Sequence, residues 1–337
     1  MSIDLSRLND TSKLLFAVEL KPLQGERFQP TGFPSLGAAT YQTATGTSLL
    51  VESPQSMANR LETVCWDAAA NTPVAALDGI SYVCVNRQGK FLTSSIIEAH
   101  RLNSPYILEG ANKAFFGALK AELDVMAQGP INRKVLAEKL LKFDAGSLLH
   151  GVFLAKKDLA GGRLRVARAL SVFIEADGVR TAVSGGVKND HVNPSGDTTS
   201  GFGNVPFSRE EFTADRIVMY ANLDLAQIRG YGLGAAVERL LILLALYKLR
   251  AFLDGDLRLR TACSLGVKDA DVKATRPQGF ALPALEDIEI DLKTAIAACK
   301  GQMTVTTVEF NDELKKGRDA EEAPVAGTDD ADGEVKE

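Results

Sequence analysis

Residues 163 to 183 read Arg163-Leu-Arg-Val-Ala-Arg-Ala-Leu-Ser-Val-Phe-Ile-Glu-Ala-Asp-Gly-Val-Arg-Thr-Ala-Val183. Leu164, Val166, Leu170, Val172 and Ile174 fall on one side of an extended chain, while Arg163, Arg165, Ser171 and Phe173 fall on the other. That is the period of a half-buried strand. Asp177-Gly178 is a dipeptide suited to the positive φ values of a hairpin turn, so Val179–Val183 reads as the returning strand. Working outward, Leu14–Leu20, Ile80–Val85, Phe91–Thr93, Ile217–Leu225, Leu257–Cys263 and Met303–Phe310 read as further strands. Helices are expected from Pro54 behind a Ser53 cap to Ala70, and over Ser95–Leu102, Ala111–Met126, Asn132–Phe143, Ala235–Leu253 and Ala284–Cys299. Strands and helices interleaved around a hairpin predict an α+β fold with an antiparallel sheet, not a doubly wound parallel one.

The chain has 337 residues, of which 45% are hydrophobic and 24% charged, an ordinary globular composition with ample core material. Cys65, Cys84, Cys263 and Cys299 lie far apart and away from the three histidines, which argues against a zinc site and against a disulfide framework. A reducing cytoplasm is the expected setting, and no metal or cofactor is expected. The longest apolar run, Leu240–Tyr247, is too short for a membrane span and reads as a buried helix. The net charge of −5 is unevenly spread: residues 319–337 hold eight acids and one lysine, leaving the first 318 residues at +2. The tail should be disordered. The body is locally basic at Lys156, Lys157, Arg163, Arg165 and Arg168, at Arg258 and Arg260, and at Lys315, Lys316 and Arg318. Such stripes suit a phosphate backbone, although most charge runs are solvated faces.

Between the strands ending at Val183 and beginning at Ile217 lies a glycine- and proline-punctuated loop over 184–213, carrying Lys188, Phe202, Phe207, Arg209 and Phe212. A loop this long with aromatic and basic residues predicts a protruding recognition element. Ser200-Gly-Phe-Gly-Asn-Val-Pro-Phe207 approaches the aromatic signature of RNA-recognition sheets. Its basic position is serine, its central aromatic is Asn204, and Pro206 would break a central strand. Lys188, Asp190 and His191 offer the groups of a guide-dependent endoribonuclease, but neighbours on a loop are poorly preorganised. Gly230-x-Gly232-x-x-Ala235 fits a dinucleotide fingerprint and would make a nicotinamide-dependent oxidoreductase, yet no acid closes the next strand. On the helix after Ser53, Gln55, Asn59, Thr63 and Trp66 lie opposite the core arc, with Ser56 and Arg60 on a flank. These groups can hold phosphate oxygens or form an ordinary polar face.

Several segments resemble one family: Leu20–Pro34, Glu52–Glu62, Gly185–Thr198, Gly201–Phe207, Asn222–Gly234 and Leu257–Cys263. They are similar to the backbone subunit of a type I-G (formerly I-U) CRISPR Cascade, of the RAMP superfamily, over about residues 12 to 312. The resemblance implies an RRM-like (ferredoxin-like) antiparallel palm over residues 1–318. A helical insertion would occupy about 94–150 and a protruding thumb about 185–209, with 319–337 an acidic tail. It implies a non-catalytic subunit that binds CRISPR RNA, stacks with copies of itself and other Cascade subunits, and meets complementary target DNA, with no membrane partner. Its RNA-contact positions map to Lys21, Arg27, Gln55, Ser56, Asn59 and Arg60, with Lys188, Asn189 and Phe202 on the thumb. Arg163, Arg165 and Arg229 complete the expected basic contacts.

Overall fold

The computed structural model describes residues 2–33, 37–110 and 113–311. The predicted acidic tail, with Lys315, Lys316 and Arg318, lies outside them. At the centre is an antiparallel sheet in the spatial order Arg258–Arg260, Cys263–Val267, Lys13–Pro22, Arg216–Asp224, Leu170–Asp177, Gly46–Glu52 and Thr40–Thr43, and Ala274–Arg276 also pairs with Lys13–Pro22. Alternation gives the sheet two unlike faces. Leu14, Phe16, Val18 and Leu20 sit in register with Leu223, Ala221, Met219 and Ile217, and these with Leu170, Val172, Ile174 and Ala176. All twelve are buried. Helices Pro54–Thr63 and Ala235–Asp254 cover that face, and Leu285–Cys299 packs behind the second. The other face carries Phe173 against Tyr220, ring centroids 5.3 Å apart. Beside them the Tyr41 phenol is pushed up to about 12, by burial first and then by its hydrogen bond to Glu175.

The residues between Trp66 and Gly151 form a satellite body. Val305–Glu309 pairs in parallel with Tyr82–Arg87, which pairs antiparallel with Lys90–Ser94. Trp66, read from sequence as opposite the core, stacks on Phe91 at 5.3 Å and meets the Tyr82 ring edge-on at 6.0 Å. A buried ionic group ties this body to the core. Arg101 Nε and Nη2 donate to both oxygens of Glu62 at 2.7 and 2.8 Å, and Asp144 and Lys248 are buried nearby. His150 is also buried there, with neither ring nitrogen hydrogen-bonded, so burial holds its pKa well below 6.5. Burial and the adjacent Lys248, Arg101 and Arg168 all act in that direction.

Four sequence expectations need correction. The strand read as continuous over Arg163–Glu175 is two strands: Leu164–Val166 pairs with Val152–Leu154, and the main sheet begins again at Leu170. The side-chain period survives the break, which is why alternation could not reveal it. Asp177-Gly178 is not a hairpin, because Leu170–Asp177 pairs with Arg216–Asp224 and Gly46–Glu52 instead of with the following strand. Gly178, at φ 62°, is the corner where the chain leaves the sheet, and a Cβ there would fall 2.1 Å from Asp215 Oδ2. Ser95–Leu102 is not a helix; it is turns ending in a short 3-10 segment, Arg101–Asn103, with Arg101 itself at positive φ. Ser53 caps its helix as expected, accepting from Ser56 N, and Asn132, read as the first residue of its helix, is the cap before it, accepting from Val135 N. The first helix nevertheless ends at Thr63 rather than Ala70.

Candidate nucleic-acid interface

The segment expected as a loop over 184–213 holds the outer part of a two-stranded ribbon and the tip that joins its strands. Arg180–Lys188 pairs with Val205–Thr213 through nine consecutive register positions without a bulge. At ~3.3 Å per residue that arm is roughly 30 Å long before its tip. Phe28 bridges Phe212 at its base, with Phe28 N to Phe212 O and Phe212 N to Phe28 O both 2.9 Å. Beyond the base nearly every residue is half-buried or exposed.

Register fixes which side chains share a face. One face carries Ala182 opposite Glu211, Ser184 opposite Arg209, Gly186 opposite Phe207, and Lys188 opposite Val205. A Cβ on Gly186 would come within 3.2 Å of the Phe207 ring, so glycine lets that ring lie across the ribbon. The Arg209 guanidinium stands 5.5 Å from the ring centroid, a cation–π arrangement. Arg27 extends this face at the base through an ion pair with Glu211 at 2.9 Å. The opposite face is apolar and exposed at Val183 (76%) and Val187 (49%). At its root it borders a groove of about 390 Å³ between Thr181, Glu210 and the Thr40–Thr43 edge strand.

The tip is organised by two carboxylates. Asp190 accepts from Val192 N at 2.8 Å, Asn193 N at 3.0 Å and Gly203 N at 2.8 Å. Asp197 accepts from Thr199 N and from the hydroxyls of Thr199 and Ser200. These bonds hold both acids below the usual carboxylate range, Asp190 through the backbone amides of Asn193, Gly203 and Val192 in that order. Asp190 is therefore a staple for the turn. His191 is exposed beside it, and Phe202 is 54% exposed.

The residues expected to hold a phosphate backbone divide. Lys21 is exposed near the end of the first strand, and Arg27, Lys188, Asn189 and Phe202 lie on the ribbon or its base. Gln55 and Asn59 occupy the outer side of the first helix, bonded to each other at 3.2 Å, and Gln55 also accepts from Arg168 at 2.8 Å. Arg165 is exposed on the small hairpin opposite Phe153. The other four serve the fold. Ser56 Oγ and Arg60 donate to Glu52, which is fully buried and also pairs with Arg260. Arg60 donates further to Leu259 O at 2.6 Å. Arg163 closes the carbonyls of Met126, Gly129 and Ala160 at 3.0, 2.9 and 3.1 Å. Arg229 donates to the carbonyls of Leu8 and Thr11 and pairs with Glu238 at 3.5 Å.

The sequence marks Phe207 and Arg209 as part of a recognition element without setting them among the RNA-contact positions, and it does not reveal Arg168 as the partner of Gln55. The Gly185-Gly186 pair facing an aromatic was the available signal for the first two. The dinucleotide fingerprint fails on geometry: Gly230 ends the short helix Leu225–Gly230, and the neighbouring strands are antiparallel. Among the described residues no group of three histidine, cysteine or acidic side chains is placed to hold a metal. No helix among them is long and apolar enough to cross a membrane.

Fold and site together define an α+β protein in which a curled antiparallel sheet supports an exposed ribbon with one basic, aromatic face. The chain belongs to the CRISPR-associated family described as CRISPR-associated protein GSU0053, whose model matches residues 14–181. Among the solved structures similar to it are the following two. A chain of a "CRISPR RNA-guided surveillance complex, pre-nicking" has a TM-score of 0.36 and 14% identity over 72% of this chain and 71% of that one. Csc2 from Thermofilum pendens has a TM-score of 0.33 and 10% identity over 88% and 80%. No curated protein sequence matches the chain.

Proposed function

We propose that this protein is the CRISPR RNA-binding backbone subunit of a type I Cascade surveillance complex, with type I-G the subtype its sequence resembles. The observation that carries the reading is the ribbon face on which Arg27, Arg209, Phe207 and Lys188 follow one another toward the Phe202 tip. Basic groups spaced along a strand suit phosphates, and exposed rings offer a stacking surface to bases turned out of a single strand. The palm in this reading is RRM-like. Lys13–Pro22, Leu170–Asp177, Arg216–Asp224 and Cys263–Val267 take the order fourth–first–third–second, with a helix after the first and third. The thumb is then the whole ribbon, residues 180–213, rather than 185–209, and the insertion spans about 94–150.

The subunit has no cutting role in this reading, since Asp190 is spent on three amides and cannot serve as a base. Copies of the chain stack along one guide, the apolar ribbon face and its groove meeting the next copy, and complementary DNA pairs with the displayed bases. Mixing purified protein with guide RNA tests this by size-exclusion chromatography and electron microscopy. Regular filaments that form only with RNA are expected. A monodisperse monomer indifferent to RNA overturns the reading. RNA cleavage that is lost on His191→Ala with RNA binding intact would instead restore the endoribonuclease alternative.

A further inference from the structure

Arg168 stands where the chain passes from the small hairpin into the central sheet, between Leu164–Val166 and Leu170–Asp177. Its backbone is pinned on both sides. Ala167 O accepts from Gln227 Nε2 at 2.7 Å, and Ala169 N donates to Leu149 O at 2.8 Å. Gly151, at φ 78°, crosses so close behind it that a Cβ there would fall 3.0 Å from Arg168 N. The half-buried Arg168 side chain donates from Nε to His150 O at 3.4 Å and from Nη2 to Gln55 Oε1 at 2.8 Å. A guanidinium on a fixed backbone thus ends on an exposed amide of the first helix.

A guanidinium has donors only, so the Gln55 atom that meets it has to be the oxygen. That choice fixes the rest of the row. With Oε1 on Arg168, Gln55 Nε2 donates to Asn59 Oδ1 at 3.2 Å, one helical turn further on. Both amide oxygens are then engaged. Asn59 Nδ2 and the second hydrogen of Gln55 Nε2 meet no acceptor among the described residues. The terminal torsion of a glutamine is otherwise broad and roughly two-fold, presenting oxygen as readily as N–H. A phosphodiester offers acceptors only, so the two orientations are opposite in sign toward it.

We propose that Arg168 is a positioning residue for guide RNA: it holds the Gln55 amide so that the Gln55–Asn59 row presents N–H groups, and no oxygen, to the phosphodiester. Without it Gln55 turns over freely, and its oxygen repels the phosphate that its N–H would hold. The role rests on the nucleic-acid reading above, and in it the arginine acts through Gln55 and not by a phosphate contact of its own.

The test is a mutant cycle on the full chain, read as affinity for a ~20-nucleotide polyuridine at ~50 mM salt. Gln55→Ala and Arg168→Met should each weaken binding by about three- to tenfold. The double variant should bind within about twofold of Gln55→Ala alone, because the two residues act as one unit. Arg168→Lys, which keeps a donor for Oε1, should bind more tightly than Arg168→Met by about twofold or more. Losses that multiply in the double variant, or an Arg168→Met protein that binds like wild type, overturn the proposal. A second readout needs neither RNA nor the methionine variant. In free wild-type protein, ¹⁵N relaxation of the Gln55 side-chain amide, assigned by its disappearance in Gln55→Ala, should give an order parameter near the ~0.85 of rigid groups. A value below ~0.6, the range of flexible groups, overturns the positioning. If that amide is rigid and polyuridine binds no form of the protein, it is the nucleic-acid reading that has failed, and the role of Arg168 in it falls too.

Discussion

Replacing Glu52 or Arg60 separates a residue that holds the fold from one that holds RNA. Glu52 is fully buried where the Gly46–Glu52 strand runs into the first helix. It accepts from Ser56 Oγ, from Arg60 Nη2 at 3.2 Å and from Arg260 Nη2. The two arginine side chains are about four-fifths buried, at 22% and 18% exposure. Glu52→Ala leaves two guanidinium groups facing each other without a counter-charge, and removing one member of a buried pair costs about 3–5 kcal/mol. Arg60→Ala is milder, because Arg260 still balances Glu52. It loses a charged hydrogen bond and the bond to Leu259 O, about 2–3 kcal/mol together. At roughly 2 °C per kcal/mol for a chain of this size, the expected falls in Tm are about 6–10 °C and about 4–6 °C. Urea titration should show the shift in midpoint with an unchanged slope, and Arg60→Ala should bind RNA with wild-type affinity at temperatures where it is folded. An Arg60→Ala protein as stable as wild type but weakened in RNA binding would refute the assignment.

Two further outcomes follow from the titrating groups. Asp190→Ala should leave the global Tm unmoved while exposing residues 189–204 to limited proteolysis, because three amides lose their acceptor. Since the folded pKa of Asp190 is depressed, its contribution is present above the unfolded value near 3.8. It is lost as pH falls through the lower folded value, so wild-type tip protection should fade only in strong acid. His150 works over a higher range. Its folded pKa lies below the unfolded 6.5, so the unfolded chain binds the extra proton. Stability is then full above pH 6.5 and declines as pH falls from there toward the folded value. Denaturation midpoints measured from pH 8 to 5 should show that decline, and a His150→Leu protein that keeps it would remove the assignment.

Much of the central sheet and of the helices on it was legible in local patterns. Leu14–Leu20, the Ser53-Pro54 helix start and the long apolar helix from Ala235 were each fixed by period and cap, and the antiparallel class followed. Partnership was not legible. Asp177-Gly178 has the chemistry of a tight turn, but whether the next strand folds back or walks away depends on Gly46–Glu52 already occupying that edge. The ribbon escaped detection because Gly185, Gly186 and Pro206 are poor strand residues; Phe207 lying over the glycine supplies the packing they lack. For the interface, the type of residue was readable and its use was not. Ser56, Arg60, Arg163 and Arg229 have the right chemistry for phosphate, but a buried Glu52 and a set of open carbonyls claim them first. Nothing adjacent in the chain announces either.

The order of strands in the central sheet bears on how the protein is made. Lys13–Pro22 emerges first from the ribosome, but its partners there, Arg216–Asp224, Cys263–Val267 and Ala274–Arg276, are synthesised about two hundred residues or more later. At ~5–20 residues per second the apolar first strand waits roughly ten to forty seconds for a partner. During that interval the satellite body from Trp66 to Gly151 can complete only its helices and the Tyr82–Ser94 hairpin, since its third strand is Val305–Glu309. Both sheets thus close late and almost together, and a nascent chain halted before residue 263 should engage holding chaperones throughout.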